Sequence, residues 1–396
     1  MKTFRLAQPA LPQRPTQDEG VSSTVTHFLA VPDFVDPDDM EFLFQCKEPR
    51  ASWEVRPVVS ELDRDVVQVE PGVLRLSPRS VLRGPYASRI LPSEVAESGA
   101  AIDVELGSLR PHPLSVPHPA QFPATAQVVW ALETLRERGE APWPGAGDRD
   151  GINRVFAQGL PVREELRQVL TAVAVARYLE GCVVFDAGES EPSRNYHPVT
   201  DTHRYRTVTP DPAANVDLVI YSDVWLDPMA ALGHGQLALP DLRFMPNEVE
   251  WDGPADSGEY IARDVGFLDG EQVSQLHADA DETDLDALRG MQPLSTYSMF
   301  YEGTDGDLIV VEVGGSDELP GALAAAHWAQ EGVVEYAIRW VPRDLEDWQR
   351  ETPSFELRRQ RTKMASLVRA VARSFVVATS GEVADQDGFL LDPSAL

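Results

Sequence analysis

The segment at residues 161–188, PVREELRQVLTAVAVARYLEGCVVFDAG, predicts a helix that leads directly into a buried strand. Its apolar residues recur at helical spacing, and two glutamates stand in the first turn, where carboxylates interact favourably with the helix dipole. Gly181 marks the end of the helix, and residues 182–185 form a short apolar run. We therefore expect a fold in which helices lead directly into the strands of a sheet.

The rest of the sequence alternates further strand and helix patterns, which indicates an α+β fold of mixed sheets flanked by helices. We expect the helix at 124–138 to pack beside the helix at 161–180. The predicted strands lie at 25–31, 66–69, 73–76, 101–106, 216–224, 260–267, 308–313 and 333–341, and the other predicted helices lie at 40–45, 317–330 and 355–379.

A chain of 396 residues is long enough for two or three domains. Residues 1–22 are polar and proline-bearing, which indicates a disordered lead-in. The turn-rich residues 247–258 are the predicted linker. They separate an N-terminal α+β domain at 23–246 from a C-terminal α+β domain at 259–396.

The charge balance restricts the classes of partner. The chain carries 64 acidic and 34 basic residues, for a formal net charge of −30. Such a chain repels phosphate backbones and anionic lipids, so we expect no nucleic acid and no membrane among its partners. Two interpretations stay open: the acidity serves solubility alone, or it complements a basic protein partner.

The helix predicted at 355–379 is the one basic stretch in this acidic chain, with arginines and a lysine along its length. We expect these cations to pair with acidic segments of the same fold, with an external anionic partner as the alternative.

The two cysteines indicate the compartment. Cys182 lies inside an apolar run, and with Cys46 it makes a pair too sparse for a disulfide framework. The N-terminal residues contain no apolar signal region, and no apolar run is long enough to span a bilayer. These features predict a cytoplasmic protein with reduced thiols.

The densest group of ligand-type residues follows the strand at 182–185. Asp186 ends that strand, and His197, Asp201 and His203 lie in the polar stretch after it. In an extended chain, Asp201 and His203 share one face, which suits a metal site or an acid–base pair. The candidate catalytic residues are therefore His197, Asp201 and His203, and the candidate metal ligands are these three with Asp186; a plain loop or hairpin is the alternative.

The sequence contains no strong catalytic or cofactor signature such as HExxH, GxSxG or a phosphate-binding P-loop. Gly145, Gly147 and Gly151 imitate a dinucleotide fingerprint, but prolines precede them where a strand is required. We therefore expect no cofactor and lean away from an enzyme.

The end of the chain echoes its central unit. Gly181 and Gly381 each follow an Ala/Val-rich helix and precede a short strand with an aspartate, Asp186 or Asp385. Either one helix–strand unit is duplicated, or two common helix–strand joins look alike.

The segments AVARYLEGCVVFDAG and LGHGQLALPDLRF resemble a pattern in bacterial domain families of unknown function, over about residues 160–250. His234 and Gln236 depart from that pattern. The resemblance implies a bacterial α+β accessory protein, with some relatives similar to antitoxin or immunity proteins, and it implies no catalytic residues.

Three functions follow from these observations. The first is a binding protein, either immunity- or antitoxin-like or a scaffold, that contacts a protein partner through an acidic surface. The second is a metal-dependent, hydrolase-like enzyme that uses the cluster at 186–205. The third is a structural subunit of a larger assembly. The sequence does not determine the oligomeric state.

Overall fold

The fold is α+β, as predicted, and it is built on two antiparallel sheets of seven strands each. The computed structural model describes residues 5–7, 24–32, 35–63, 66–87, 122–123, 125–126, 128–188, 204–245, 274–275, 296–324 and 326–396. Within these ranges, no helix is both long and apolar enough to cross a lipid bilayer.

The first sheet has the strand order β10-β9-β2-β8-β7-β6-β3. A separate sheet of three strands has the order β1-β5-β4. The elements are β1 Arg5–Ala7, β2 Thr24–Val31, α1 Pro37–Gln45, β3 Ser52–Val55, β4 Val58–Asp63, β5 Val66–Glu70, β6 Gly72–Ser77, β7 Ser80–Ala87, β8 Val128–Leu135, α2 Ile152–Val155, α3 Arg163–Tyr178, β9 Cys182–Asp186 and β10 Tyr205–Val208.

The second sheet has the strand order β17-β16-β11-β15-β14-β13-β12. Its long helix, α6, packs on the sheet and on α4. The elements are β11 Leu218–Ser222, α4 Pro228–Ala238, β12 Arg243–Phe244, β13 Tyr297–Glu302, β14 Leu308–Ser316, β15 Val333–Val341, α5 Leu345–Trp348, α6 Phe355–Thr379, β16 Glu382–Asp385 and β17 Leu390–Leu391.

The two sheets have the same strand order and the same sequence of helices and strands along the chain. Each begins with a central strand, β2 or β11, and then a helix capped by an aspartate before a proline, Asp36 or Asp227. Each ends with a 3-10 turn capped in the same way, by Asp211 or Asp392. The main helix of each sheet, α3 or α6, comes directly before the next-to-last strand. The sheets are therefore two copies of one topology.

The helix–strand join is the closest point of likeness between the copies. Glu180 and Ser380 both adopt the left-handed conformation, with φ of 53° and 52°, immediately before Gly181 and Gly381. A Cβ on Gly381 would lie 2.7 Å from a carbonyl oxygen of β11, and a Cβ on Gly181 would lie closer still to a carbonyl oxygen of β2. Only glycine allows the helix to end this close to the central strand.

The first sheet ends at Val208 and the second begins at Leu218, so β11 and β12 belong to the second sheet. The predicted linker at 247–258 lies outside the described ranges, and the domain division there stays a prediction. Two predicted helices need correction. The helix predicted at 124–138 is instead the strand β8, and α3 packs on this strand. The helix predicted at 317–330 is replaced by short 3-10 turns.

One turn of the second copy packs into the hydrophobic core of the first copy. Phe389, in the turn between β16 and β17, is 1% exposed and belongs to the same core cluster as Phe44. Its ring lies 5.0 Å from the ring of Tyr178, and the Lys47 ammonium lies 5.7 Å from its centre. The two copies thus share buried apolar surface.

Buried arginines also join the copies. Arg177 on α3 forms ion pairs with Asp150, at 2.6 Å, and with Asp387 of the second copy. Arg154 contacts Glu351 of the second copy at 2.9 Å. Since both guanidinium groups are nearly inaccessible to water, each depends on these partners.

The basic helix α6 pairs with several groups of its own chain. Arg361, which is buried, contacts Asp211 at 2.5 Å, and Lys363 lies 3.5 Å from Asp305. Arg373 donates a hydrogen bond to the carbonyl oxygen of Leu396. These contacts support the prediction of internal charge balance.

Asp385 should make stability depend on pH. Burial raises the pKa of this carboxyl to about 6, and the neighbouring Asp387 adds to the shift. The folded protein therefore binds this proton more tightly than the unfolded chain, so stability should fall as the pH rises from about 4 to about 6. Asp385→Asn is expected to reduce that fall and to stabilise the protein at neutral pH by ~2 kcal/mol, measured by chemical denaturation across this range.

Asp392→Asn is the matched control for this measurement. The Asp392 carboxyl is exposed, and its hydrogen bonds with Ser394 lower its pKa. This variant should keep the fall in stability between pH 4 and 6. The same profile in wild type and Asp385→Asn would contradict the assignment.

Candidate functional site

Asp186, at the end of β9, is the one predicted site residue that lies within the described ranges. Its Oδ2 accepts hydrogen bonds from Arg204, at 3.1 Å from Nε and 2.7 Å from Nη2, and its Oδ1 accepts the Gly188 N–H at 3.0 Å. Arg136 lies 3.9 Å from Oδ1. The guanidinium groups of Arg204 and Arg136 already lie at the carboxylate oxygens of Asp186. A metal ion that bound there would have to displace Arg204. These hydrogen bonds join the end of β9 to Arg204, the residue before β10.

The other predicted site residues, His197, Asp201 and His203, lie outside the described residues. Their roles as catalytic residues or metal ligands stay predictions. Within the described part of the chain, no group of three or more His, Cys, Asp or Glu side chains is arranged to hold a metal ion.

A buried polar network that the sequence did not reveal lies next to Asp186. The Asp186 N–H donates to Nδ1 of His27 at 3.2 Å, which leaves the proton of a neutral ring on Nε2. Nε2 lies 3.3 Å from Oε1 of Glu165. Arg138 holds the same glutamate, with Nη2 2.6 Å from Oε1 and Nε 3.0 Å from Oε2.

This network is closed to solvent. His27 and Glu165 are both 0% exposed, and the imidazole packs edge-on against Phe156 and Phe185. Strand pairing counted from the two glycines places Leu218 of the second copy where the first has His27. The same topology therefore forms with an apolar residue at this position, and in the first copy the network joins the start of α3 to β2 and β9.

The two copies differ most on the sheet face opposite the main helix. On each sheet, one row of cross-strand neighbours begins at the residue after Gly181 or Gly381. In the first copy this row is apolar, and Phe122 and Ala126 cover it. The same row in the second copy carries carboxylates, and Leu323 covers part of it by packing with Tyr221. The first row is Cys182, Ala30, Val129 and Tyr86, and the second is Glu382, Tyr221, Glu335 and Gly314.

A cavity of about 330 Å³ lies on this face of the second copy, between β13, β14 and β15. Its lining includes Gly314, Gly315 and Ala337, and the carboxylates of Glu312 and Glu335 stand at its sides. Ligand pockets in proteins are roughly 300–1,000 Å³, so this cavity is large enough for one side chain or a small group.

Tyr221, in the same row, shows how this face differs electrostatically from its counterpart. Burial raises the pKa of the Tyr221 phenol to about 12, and Glu335 adds to the shift. Leu323 packs against this tyrosine, and Glu335 is its cross-strand neighbour on β15. The surroundings favour neutral and cationic groups over anions.

Comparison with known proteins identifies no relative. No protein-family model matches the chain, and neither a curated protein nor a solved structure matches it. The functional argument therefore depends on the geometry of this chain.

Proposed function

We propose that this chain is a binding protein whose partner is a protein with a basic surface, and that the carboxylate-bearing face of the second sheet makes the contact. The single observation that carries the proposal is the difference between equivalent faces. One is apolar and covered by its own chain, and the other carries Glu312, Glu335 and Glu382.

The distribution of positive charge supports the same proposal. Arg154, Arg177 and Arg361 are turned inward and are matched by carboxylates of the chain itself. Cations buried in this way contribute little to the surface, so the excess of negative charge acts on approaching molecules. A basic partner would be steered to such a surface, and salt would weaken that attraction.

The finer description of this protein as immunity-like, antitoxin-like or a scaffold stays a prediction. The same holds for its cytoplasmic location and its bacterial origin. A protein of any of these classes would bind another protein without assembling catalytic groups, which agrees with the arginine-bound state of Asp186.

The test is capture of a partner by the tagged protein in its source organism, followed by titration of the purified pair at low and high salt. We expect one stoichiometric basic partner whose Kd rises by roughly tenfold or more at high salt. Glu312→Gln with Glu335→Gln should weaken the complex, whereas Glu54→Gln, on the first sheet, should not. An affinity that is independent of salt, or no partner at all, would overturn the proposal.

A further inference from the structure

The cavity of the second copy occupies a place that a side chain fills in the first. Strand pairing makes Gly314 the counterpart of Tyr86, because each is paired with the third residue of its row, Glu335 or Val129. Tyr86 is 7% exposed and packs with Phe122. The second copy has a glycine and a cavity at this place.

The charges at the cavity select the kind of group that can replace the ring. Glu312 contacts Arg339 at 2.5 Å, so part of its charge is already balanced. Glu335 has no ion-pair partner among the described residues. An incoming cation would meet one free carboxylate and one shared carboxylate.

The residues at the floor of the cavity also favour one kind of side chain. Ala337 is 2% exposed and, with Gly314, provides a small-residue surface against which methylene groups can pack. A guanidinium is planar, weakly hydrated and matched to carboxylates by paired hydrogen bonds, so it loses less on leaving water than an ammonium does.

We propose that this cavity binds one arginine side chain of a partner protein, in the place that Tyr86 fills in the first copy. The inference rests on the proposed function and adds the residue type that the face recognises. The arginine lays its methylenes over Gly314 and Ala337, and its guanidinium pairs with Glu335. Arg339 keeps Glu312 in position beside it.

The test uses capped five-residue peptides with one central arginine, flanked by glycine and serine, titrated into the full chain and followed by NMR. The matched peptides carry lysine, glutamine or citrulline at the centre; citrulline keeps the shape of arginine without its charge. We expect saturable binding of the arginine peptide, with the citrulline peptide roughly tenfold weaker or more.

Three variants locate the site. Gly314→Tyr introduces the side chain that the first copy has and should abolish binding; its Cβ would lie 2.8 Å from the Cγ2 methyl of Thr296, which has to shift. Glu335→Gln should weaken binding at least roughly fivefold. Glu54→Gln removes the same charge from the first sheet, outside the cavity, and should leave the Kd unchanged. A thermal melt of each variant confirms folding.

Several results would overturn the arginine site: no saturable binding, equal binding of the citrulline peptide, or full binding by Gly314→Tyr. This failure is distinct from failure of the proposed function. A captured basic partner that binds Gly314→Tyr as it binds wild type would keep the function and reject the arginine site. Peptide binding at the cavity without any basic partner would do the reverse.

Discussion

Replacing Arg177 with methionine is expected to lower the free energy of unfolding by ~3 kcal/mol, because it removes the cation that two carboxylates share. Arg177 is 3% exposed, and Asp150 and Asp387 contact its two terminal nitrogens from different copies of the topology. Those two carboxylates raise its pKa although burial alone would lower it. The loss is measured by denaturant unfolding at neutral pH.

Arg350→Met is the control for this variant. Arg350 also forms an ion pair, with Glu346 at 2.9 Å, but both of these side chains are largely exposed. Exposed pairs contribute little to stability, so this variant should unfold at the same denaturant concentration as wild type. Equal effects of the two substitutions would show that Arg177 does not hold the two copies together.

Gly181→Ala should be almost as damaging, with a loss of ~3 kcal/mol, because the new methyl collides with backbone that cannot move aside. A Cβ there would overlap the Ala30 carbonyl oxygen of the central strand β2. Gly381→Ala should show the same kind of loss, since its Cβ would meet the equivalent strand of the second copy. Thermal and denaturant unfolding measure both variants.

Gly233→Ala provides the opposite expectation. Gly233 lies within α4, and a Cβ on it would meet no atom within 4 Å. Alanine favours the helix, so this variant should gain ~0.5–1 kcal/mol. A Gly181→Ala protein as stable as wild type would contradict the close join between helix and central strand.

Much of the fold follows from local sequence. The predicted bounds of the helix at 355–379 and the strand at 333–341 are those of α6 and β15. Both are long and periodic, and the serine at 354 caps the helix by accepting the Leu357 N–H. Elements with a strong period and a clear end are the ones that a sequence specifies best.

The strand β8 was missed for a physical reason. Its residues are buried on both faces at the centre of the first sheet, so polar and apolar side chains do not alternate. Val128, Val129 and Leu132 then fit a helical spacing as well as a strand. The packing of β2 and β7 on its two edges decides the structure, and that information is not local.

The candidate site could not be predicted for the same reason. The row that contains Gly314 and Glu335 is assembled from four strands. Only comparison with the row that contains Tyr86 shows that a glycine stands where the first copy has a tyrosine. The sequence did place Gly181 and Gly381 in correspondence. The two aspartates paired with them do not match, because Asp385 is four residues after its glycine and Asp186 is five.

The most direct test of the central claim is titration of the purified partner into three forms of the protein at low salt: wild type, Glu335→Arg and Asp241→Arg. Both variants change the net charge equally, but Asp241 lies in the turn between α4 and β12, outside the cavity lining. The account predicts that Glu335→Arg raises the Kd by roughly tenfold or more while Asp241→Arg leaves it close to the wild-type value. Equal Kd values for the two variants would contradict binding at the carboxylate-bearing face of the second sheet.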